Sequence, residues 1–399
     1  MFVVRGLVVM LATLAACGRL GFGERTTTDG DSDSPSGGGD GDGPGAALGW
    51  TRIAAGDETT CGIYKSRAYC WGRGSNNEIG DGVATNRPSP TLVALPAGTV
   101  TDIVQGEGHG CAIVDDAVYC WGLAAIGNGN PQAAMPQKVT ALPANVTSLS
   151  AGGQFVCAVA GGNVYCWGNE NSGSLGNGAA GSSFTPALVT LPATAISVDA
   201  GNDHAIALLS DGSLYVWGHN DNGCFGVGST TPTSSDVPLQ TAASASVLPR
   251  FAGWHMCALK NGAVRCWGEG TSGELGNNML NDSSNPVQVV GMTTGVTTME
   301  TGGGPSNHDA SCAVIGGAVS CWGKGTFGRL GTGNANDAAT PQTVNGVPAN
   351  VVQLALGFEH TCALSADGSL RCWGRGDLGQ LGSGQNANSL TPIVVPLPP

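Results

Sequence analysis

The stretch His360 to Gly374 reads HTCALSADGSLRCWG, and from Trp373 to Gly384 the chain continues as WGRGDLGQLGSG. Two short runs of strand-forming residues flank Ala366-Asp367-Gly368. A three-residue hairpin with Gly in the left-handed position accounts for that turn. A Gly-rich loop follows, and then TPIVVPLP, a Pro-flanked strand. VQLALG lies just upstream, so the unit holds four short strands. Working outward, Trp-Gly recurs at Trp71, Trp121, Trp167, Trp217, Trp267, Trp322 and Trp373. Each copy has the same parts: an apolar strand ending in Gly, two strands joined by a tight turn, a loop such as GSLGNG, and a closing strand. Four strands at a period of about 50 residues is the pattern of a β-propeller blade. The expected fold is all-β, a seven-bladed propeller over 50–399. It is preceded by a signal peptide (1–16) and a disordered tether (17–49).

These registered copies resemble the regulator of chromosome condensation repeat family, and the resemblance covers nearly the whole chain after residue 50. It implies seven blades. It implies little about activity, because this fold hosts unrelated functions, including nucleotide exchange, light sensing and enzyme inhibition. No site residue of those relatives maps securely onto this sequence.

Composition agrees with such a fold. Of 399 residues, 66 are Gly and only 11% are charged. Disorder throughout would require less apolar content than the 41% present. Collagen would require Gly at every third position. No segment sustains a 3.6-residue period, which excludes a helical bundle. The net charge is −13. Three of the 16 cations and six of the 29 anions lie in the first 49 residues, so the propeller itself carries −10. An acidic surface repels phosphate backbones, and no nucleic-acid partner is expected.

Residues 1–17 read MFVVRGLVVMLATLAAC. One early cation, Arg5, precedes an apolar run too short to span a bilayer, as in an export signal. Leu14-Ala15-Ala16-Cys17 resembles a bacterial lipobox, which implies lipidation at Cys17. The Gly/Ser/Asp-rich segment that follows cannot bury a core and reads as an extended tether. Its aspartates lack the converging ligands and bidentate Glu of a calcium loop. The expected location is the bacterial cell envelope, lipid-anchored, with the outer membrane favoured. The only membrane contact expected is through the N-terminal lipid.

Twelve of the 14 cysteines pair within the repeats: Cys61 with Cys70, Cys111 with Cys120, Cys157 with Cys166, Cys257 with Cys266, Cys312 with Cys321, and Cys362 with Cys372. In CAVAGGNVYC, a hairpin turning at Gly161-Gly162 places Cys157 opposite Cys166 in a non-hydrogen-bonded pair, within disulfide reach. The unit around Trp217 has Ile206 and Val216 at both positions. Joint loss fits a bonded pair better than metal ligands, and isolated pairs do not gather the four ligands of a zinc site. Six within-blade disulfides are expected, in an oxidising location. Cys224 remains, as a partly buried loop residue that should be the lone alkylatable thiol.

His109, His204, His255 and His360 stand two residues before the first Cys position of their units, and His308 lies nearby in a longer loop. They are expected to make hydrogen bonds within or between blades; no metal and no cofactor is expected. The Trp of each Trp-Gly is expected between blades. Trp254 lies outside that register, in AGWHMC. Phe155 and Phe358 occupy related loops, and GGGPSNHDASC (Gly302 to Cys312) is the only marked insertion. There is no nucleophile elbow, phosphate loop or zinc-protease motif. The expected function is a surface-tethered binding or scaffold protein, not an enzyme. It would use Trp254, His255, His308, Phe358 and Glu359 on one propeller face to hold a protein or envelope ligand. The alternative is an envelope or extracellular enzyme with an acidic or histidine site.

Overall fold

The computed structural model describes residues 49–241, 249–251, 253–304 and 309–399. The expected signal, Cys17, the tether and His308 lie outside the described residues. Among the described residues, twenty-eight strands form seven antiparallel four-stranded sheets. Each sheet takes four consecutive strands in chain order, so this is the expected seven-bladed propeller.

Burial follows strand position. The first strands, such as Trp50–Ala55 and Val100–Gln105, line a central channel of about 200 Å³. Second strands are almost wholly buried: in His109–Val114, Phe155–Ala160 and His204–Leu209 every residue is buried. Fourth strands form the outer edge, and RPSPTL (Arg87–Leu92) and SSNPVQ (Ser283–Gln288) are partly exposed. Proline belongs at such an edge, where it costs no interior ladder bond and discourages further pairing.

The glycine ending each first strand is a steric requirement. A Cβ on Gly106 would lie 2.2 Å from the Gly152 carbonyl of the next blade and 2.4 Å from the His109 ring. Gly152 would meet the Gly201 carbonyl at 2.3 Å, and Gly357 the Gly56 carbonyl at 2.4 Å. Neighbouring backbones approach that closely only without side chains.

The seven repeat tryptophans are buried between blades, as expected. Each Nε1–H donates to a carbonyl in the preceding blade's loop between strands three and four. The acceptors are Gln380, Glu78, Ala125, Ser174, Cys224, Glu274 and Arg329, at 2.8–3.0 Å. Two residues beyond each acceptor stands a glycine with positive φ, beneath the indole, from Gly80 to Gly382. This explains the repeated Gly-x-Leu-Gly text.

All six disulfides form as expected. Cys61 is bonded to Cys70, Cys111 to Cys120, and Cys157 to Cys166. Cys257 is bonded to Cys266, Cys312 to Cys321, and Cys362 to Cys372. In each pair the cysteines stand directly opposite one another on the second and third strands. Their Cα atoms are 4.0–4.1 Å apart. Cys362 and Cys372 keep this register although one more residue separates them, because the longer turn at Ala366-Asp367-Gly368 absorbs it. In blade 4, Ile206 faces Val216 in the same register and both are fully buried.

No blade is shared between the two ends of the propeller. Trp50–Ala55 is the innermost strand of blade 1, and Ser389–Val394 is the outermost of blade 7. The seam between them is made of lateral contacts. Gln353 bonds the Ile53 N–H and carbonyl, Thr60 reaches His360 and the Gln380 carbonyl, and the Trp50 N–H donates to Gly368.

Candidate functional site

The propeller has two unlike ends. Short hairpins between strands two and three, with the links from each fourth strand to the next blade, form one. The other carries the loops between strands one and two and between strands three and four. At this loop end one backbone bond repeats in all seven blades. The residue after Trp-Gly donates its N–H to the carbonyl of the residue before the second strand. The pairs are Arg73–Glu58, Leu123–Gly108, Asn169–Gln154, His219–Asp203, Glu269–Trp254, Lys324–Asp309 and Arg375–Glu359, at 2.8–3.0 Å. Two side chains per blade therefore emerge together.

Three of these seven pairs are joined by a side-chain bond as well. In blade 1 the Arg73 guanidinium bonds Glu58, and its Nε donates to Glu78 Oε1 at 2.6 Å. Glu78 Oε2 accepts the Asn76 N–H at 2.7 Å, so both its oxygens are satisfied. Burial alone would lower the Arg73 pKa, but Glu78 and Glu58 outweigh it and hold the guanidinium above its usual value. In blade 7, Arg375 reaches Glu359 at 3.0 Å and Glu58 at 2.9 Å. In blade 3, Asn169 donates to Gln154 at 2.6 Å.

Blade 5 pairs Trp254 with Glu269. Trp254 is half-buried and meets the His219 ring of blade 4 edge-on, with centroids 5.1 Å apart. Glu269 is 2% exposed. Its Oε1 accepts from Thr271, and its Oε2 has no hydrogen-bond partner among the described residues. Burial, then the charges of Glu274 and Asp309, push its pKa up to about 7. Glu274 and Asp309 are fully buried and their pattern is similar. Glu274 Oε2 accepts the Ser272 N–H, and Asp309 Oδ2 accepts from the Trp254 N–H and meets His255 Nδ1. Glu274 Oε1 and Asp309 Oδ1 have no partner among the described residues.

The central channel balances its own charges more fully. Arg52 pairs with Asp102, and Arg250 lies between Asp199 and Glu300 at 3.4 Å from each. Ser150 donates to Asp199 at 3.1 Å. At the loop-end mouth, burial and then Glu107 and Glu58 raise Asp57 to about 7.

Several expected site residues fall elsewhere. His255 is fully buried, and its Nε2 lies 2.7 Å from Ser311 Oγ of blade 6. It is a bond between blades, as is His360 to Thr60 at 2.7 Å. Glu359 is 6% exposed and held by Arg375. Both are drawn inside the loop joints, where a charged or polar side chain satisfies its bonds. Phe155 is not a loop residue: it is 1% exposed and takes the histidine position of blade 3. Trp254 and Phe358 remain half-buried at the loop end. They are linked in space, since Gly253 abuts the Gly304 carbonyl and Gly304 abuts the Phe358 ring. The insertion spans Gly303 to Asp309, between strands Val296–Gly302 and Ala310–Ile315. Cys224 is fully buried, with its thiol 3.1 Å from the His219 carbonyl, and burial raises its pKa. It is shielded in the folded protein, contrary to the expectation of an alkylatable thiol. Among the described residues no group of His, Cys, Asp and Glu is arranged to hold a metal ion.

Sequence reasoning passed over Glu269 and Glu274. The signal was present: blade 5 alone has an acid where the other loop pairs have Arg, Leu, Asn, His or Lys.

Residues 98–398 match the RCC1-like domain, and residues 65–113 match the regulator of chromosome condensation (RCC1) repeat. The chain belongs to the RCC1-like propeller family. The ultraviolet-B receptor UVR8 of Arabidopsis thaliana is 34% identical over 119 residues, which is 30% of this chain and 27% of the receptor. The human E3 ubiquitin-protein ligase HERC2 is 30% identical over 111 residues, 28% of this chain and 2% of the ligase. Among solved structures, Prp20p from Saccharomyces cerevisiae superposes with a TM-score of 0.72 at 20% identity, over 82% of this chain and 85% of that one. Yeast RCC1 (Prp20) bound to Kap60 gives 0.73 at 18% identity, over 94% and 91%. These likenesses show the fold. The Prp20p study concerns its binding to Gsp1p and histones.

Proposed function

We propose that this chain is an exported, lipid-anchored scaffold that binds a protein or envelope ligand through the loop end of its propeller. The observation that carries this reading is the contrast between the ends. The loop end holds the half-buried aromatics Trp254 and Phe358, the insertion and most of the acidic groups. The hairpin end carries short turns such as Gly161-Gly162 and Asn261-Gly262. Loops on a rigid scaffold are where recognition concentrates. Six disulfides support an oxidising location, and Cys17 is the proposed lipid site. Protein binding by the related Prp20p supports a protein ligand. A non-enzymatic role, with no cofactor and no nucleic-acid partner, fits the ion-paired arginines of the channel and the acidic loops.

The full-length protein should capture a partner from its native envelope. Trp254→Ala should weaken that partner by about 2 kcal/mol, as for an aromatic hot spot, while Lys65→Ala at the hairpin end leaves it unchanged. Equal loss in both variants, or in neither, overturns the reading. Labelled fatty acid should enter the wild type and not Cys17→Ala; equal labelling would remove the anchor.

A further inference from the structure

Blade 2 departs from the repeat at the loop end. In six blades the chain advances seven positions from the repeat Trp to the carbonyl that accepts the next blade's indole N–H. Trp71 to Glu78 and Trp167 to Ser174 are examples. In blade 2 it advances four, from Trp121 to Ala125. The shortened connection is closed by a bond from the Ala125 N–H to the Leu123 carbonyl, with Ala124 at φ 69°. That is a γ-turn of the left-handed kind, a strained form in a residue with a Cβ. Three residues that cover the loop end in the other blades have no counterpart here. A cavity of about 280 Å³ opens at this place, between the full-length loops of blades 1 and 3.

Leu123 and Pro131 give the cavity its apolar part. Arg73 of blade 1, Glu107 and Gln132 of blade 2, and Gln154 and Asn169 of blade 3 give it donors and acceptors. Arg73 uses Nε for Glu78 and Nη1 for Glu58, which leaves Nη2. Asn169 donates Nδ2 to Gln154 Oε1 at 2.6 Å, which leaves its own Oδ1 as an acceptor. Gln154 in turn bonds Glu107. Gln132 is exposed and brings both a donor and an acceptor. The charges in the lining are one of each sign. An anionic ligand would meet Glu107 and the two acids behind Arg73, and a cationic one would meet the guanidinium itself. A neutral ligand that donates and accepts suits this lining, and a hydroxyl does both from one atom. The volume lies just below the roughly 300–1,000 Å³ of ordinary small-molecule sites, so it suits one ring rather than a chain. We propose that this cavity binds a single neutral sugar ring of a glycan. Its hydroxyls meet Arg73, Glu107, Gln132 and Asn169, and its C–H face lies against Leu123 and Pro131. This goes beyond the scaffold reading, whose Trp254 and Phe358 belong to blades 5 and 7, and it stands or falls apart from it.

The test uses the full chain in calorimetric titrations with the methyl glycosides of glucose, galactose, mannose and N-acetylglucosamine. At least one should bind saturably, with one equivalent per chain. Gln132→Ala and Asn169→Ala should each weaken it about fivefold, the usual size of one neutral hydrogen bond. Inserting Gly-Ser-Asn, the text of Gly74–Asn76, between Leu123 and Ala124 gives blade 2 the loop length of its neighbours. That variant should lose binding, while Lys65→Ala at the hairpin end should keep it. Methylguanidinium and acetate should not displace the glycoside. Failure of all four glycosides to bind overturns the proposal, as does undiminished binding in both point variants or in the folded insertion variant. Displacement by either ion would assign the cavity to a charged ligand and overturn it too. Should the insertion variant fail to fold, the two point variants decide.

Discussion

Blade 1 and blade 5 are built on the same backbone bonds and carry opposite electrostatics. In blade 1 one guanidinium joins Glu58 and Glu78, and Arg375 of blade 7 reinforces Glu58. In blade 5 Glu269 stands in the place of Arg73, and it gathers with Glu274 and with Asp309 of blade 6 near the buried Arg329 guanidinium. Because repeats share their framework, the difference isolates the effect of side chains from that of the fold. It shows that a repeat can keep its packing while giving up local charge balance, as real proteins do at functional sites.

The largest expected effect tests the balanced half of the comparison. Arg73→Met keeps the aliphatic stem and removes the donors, leaving Glu78, 1% exposed, without its cation. Stability should fall by about 3 kcal/mol in denaturant titration, as when one partner of a buried pair is removed. A loss under about 1 kcal/mol would break the comparison.

The unbalanced half should behave in the opposite sense. The folded-state pKa of Glu269 is raised from 4.5 to about 7. A carboxyl of that kind holds its proton more tightly folded than unfolded. Its favourable contribution is complete below about pH 4.5, is withdrawn as pH rises to about 7, and is absent above. Glu269→Gln should therefore be about 2 kcal/mol more stable than the wild type at pH 8 and nearly equal to it at pH 4. Asp57 and Glu300, also raised to about 7, should retain part of the slope in both proteins. Identical pH profiles would mean that Glu269 is already satisfied.

The smallest effect is a control on the shared framework. Replacing Cys61 and Cys70, or Cys257 and Cys266, by the Ile and Val of blade 4 should cost about 1–2 kcal/mol, part of the loop-entropy gain of a short disulfide loop. The cost should be equal in blades 1 and 5. Unequal costs would place the difference in the strands rather than the loops.

The fold was legible because its determinants are local and repeated. Trp-Gly, the turn glycines and the Cys spacing each specify a contact inside one blade or with its neighbour. The pairing of Cys111 with Cys120 or Cys312 with Cys321 followed from hairpin register, which a two-residue turn fixes. The site was legible only in part. Trp254 was visible as an aromatic outside the repeat register. The inward turn of His255 toward Asp309 and Ser311 depends on the adjoining blade, which no single repeat encodes. Glu269 and Glu274 gain meaning only when Arg73 and Glu78 are seen to occupy the same places. Cys224 sat at a position filled elsewhere by Glu, Ala, Ser, Arg or Gln, because the backbone carbonyl there, not the side chain, receives the Trp Nε1–H.

The seam between blades 1 and 7 has a mechanical consequence. Any load carried by the chain ahead of Trp50 enters the propeller at an innermost strand. That strand is bonded to the second strand of its own blade, and blade 7 holds it through Gln353 and Gly368. Trp50, 2% exposed, is wedged against Tyr64, Tyr69 and Trp71. A pull along this strand must shear several bonds at once, whereas a pull on an outer strand would unzip them one by one. The propeller is thus gripped at its hub, so tension arriving at Trp50 is spread across two blades before any rim strand is disturbed.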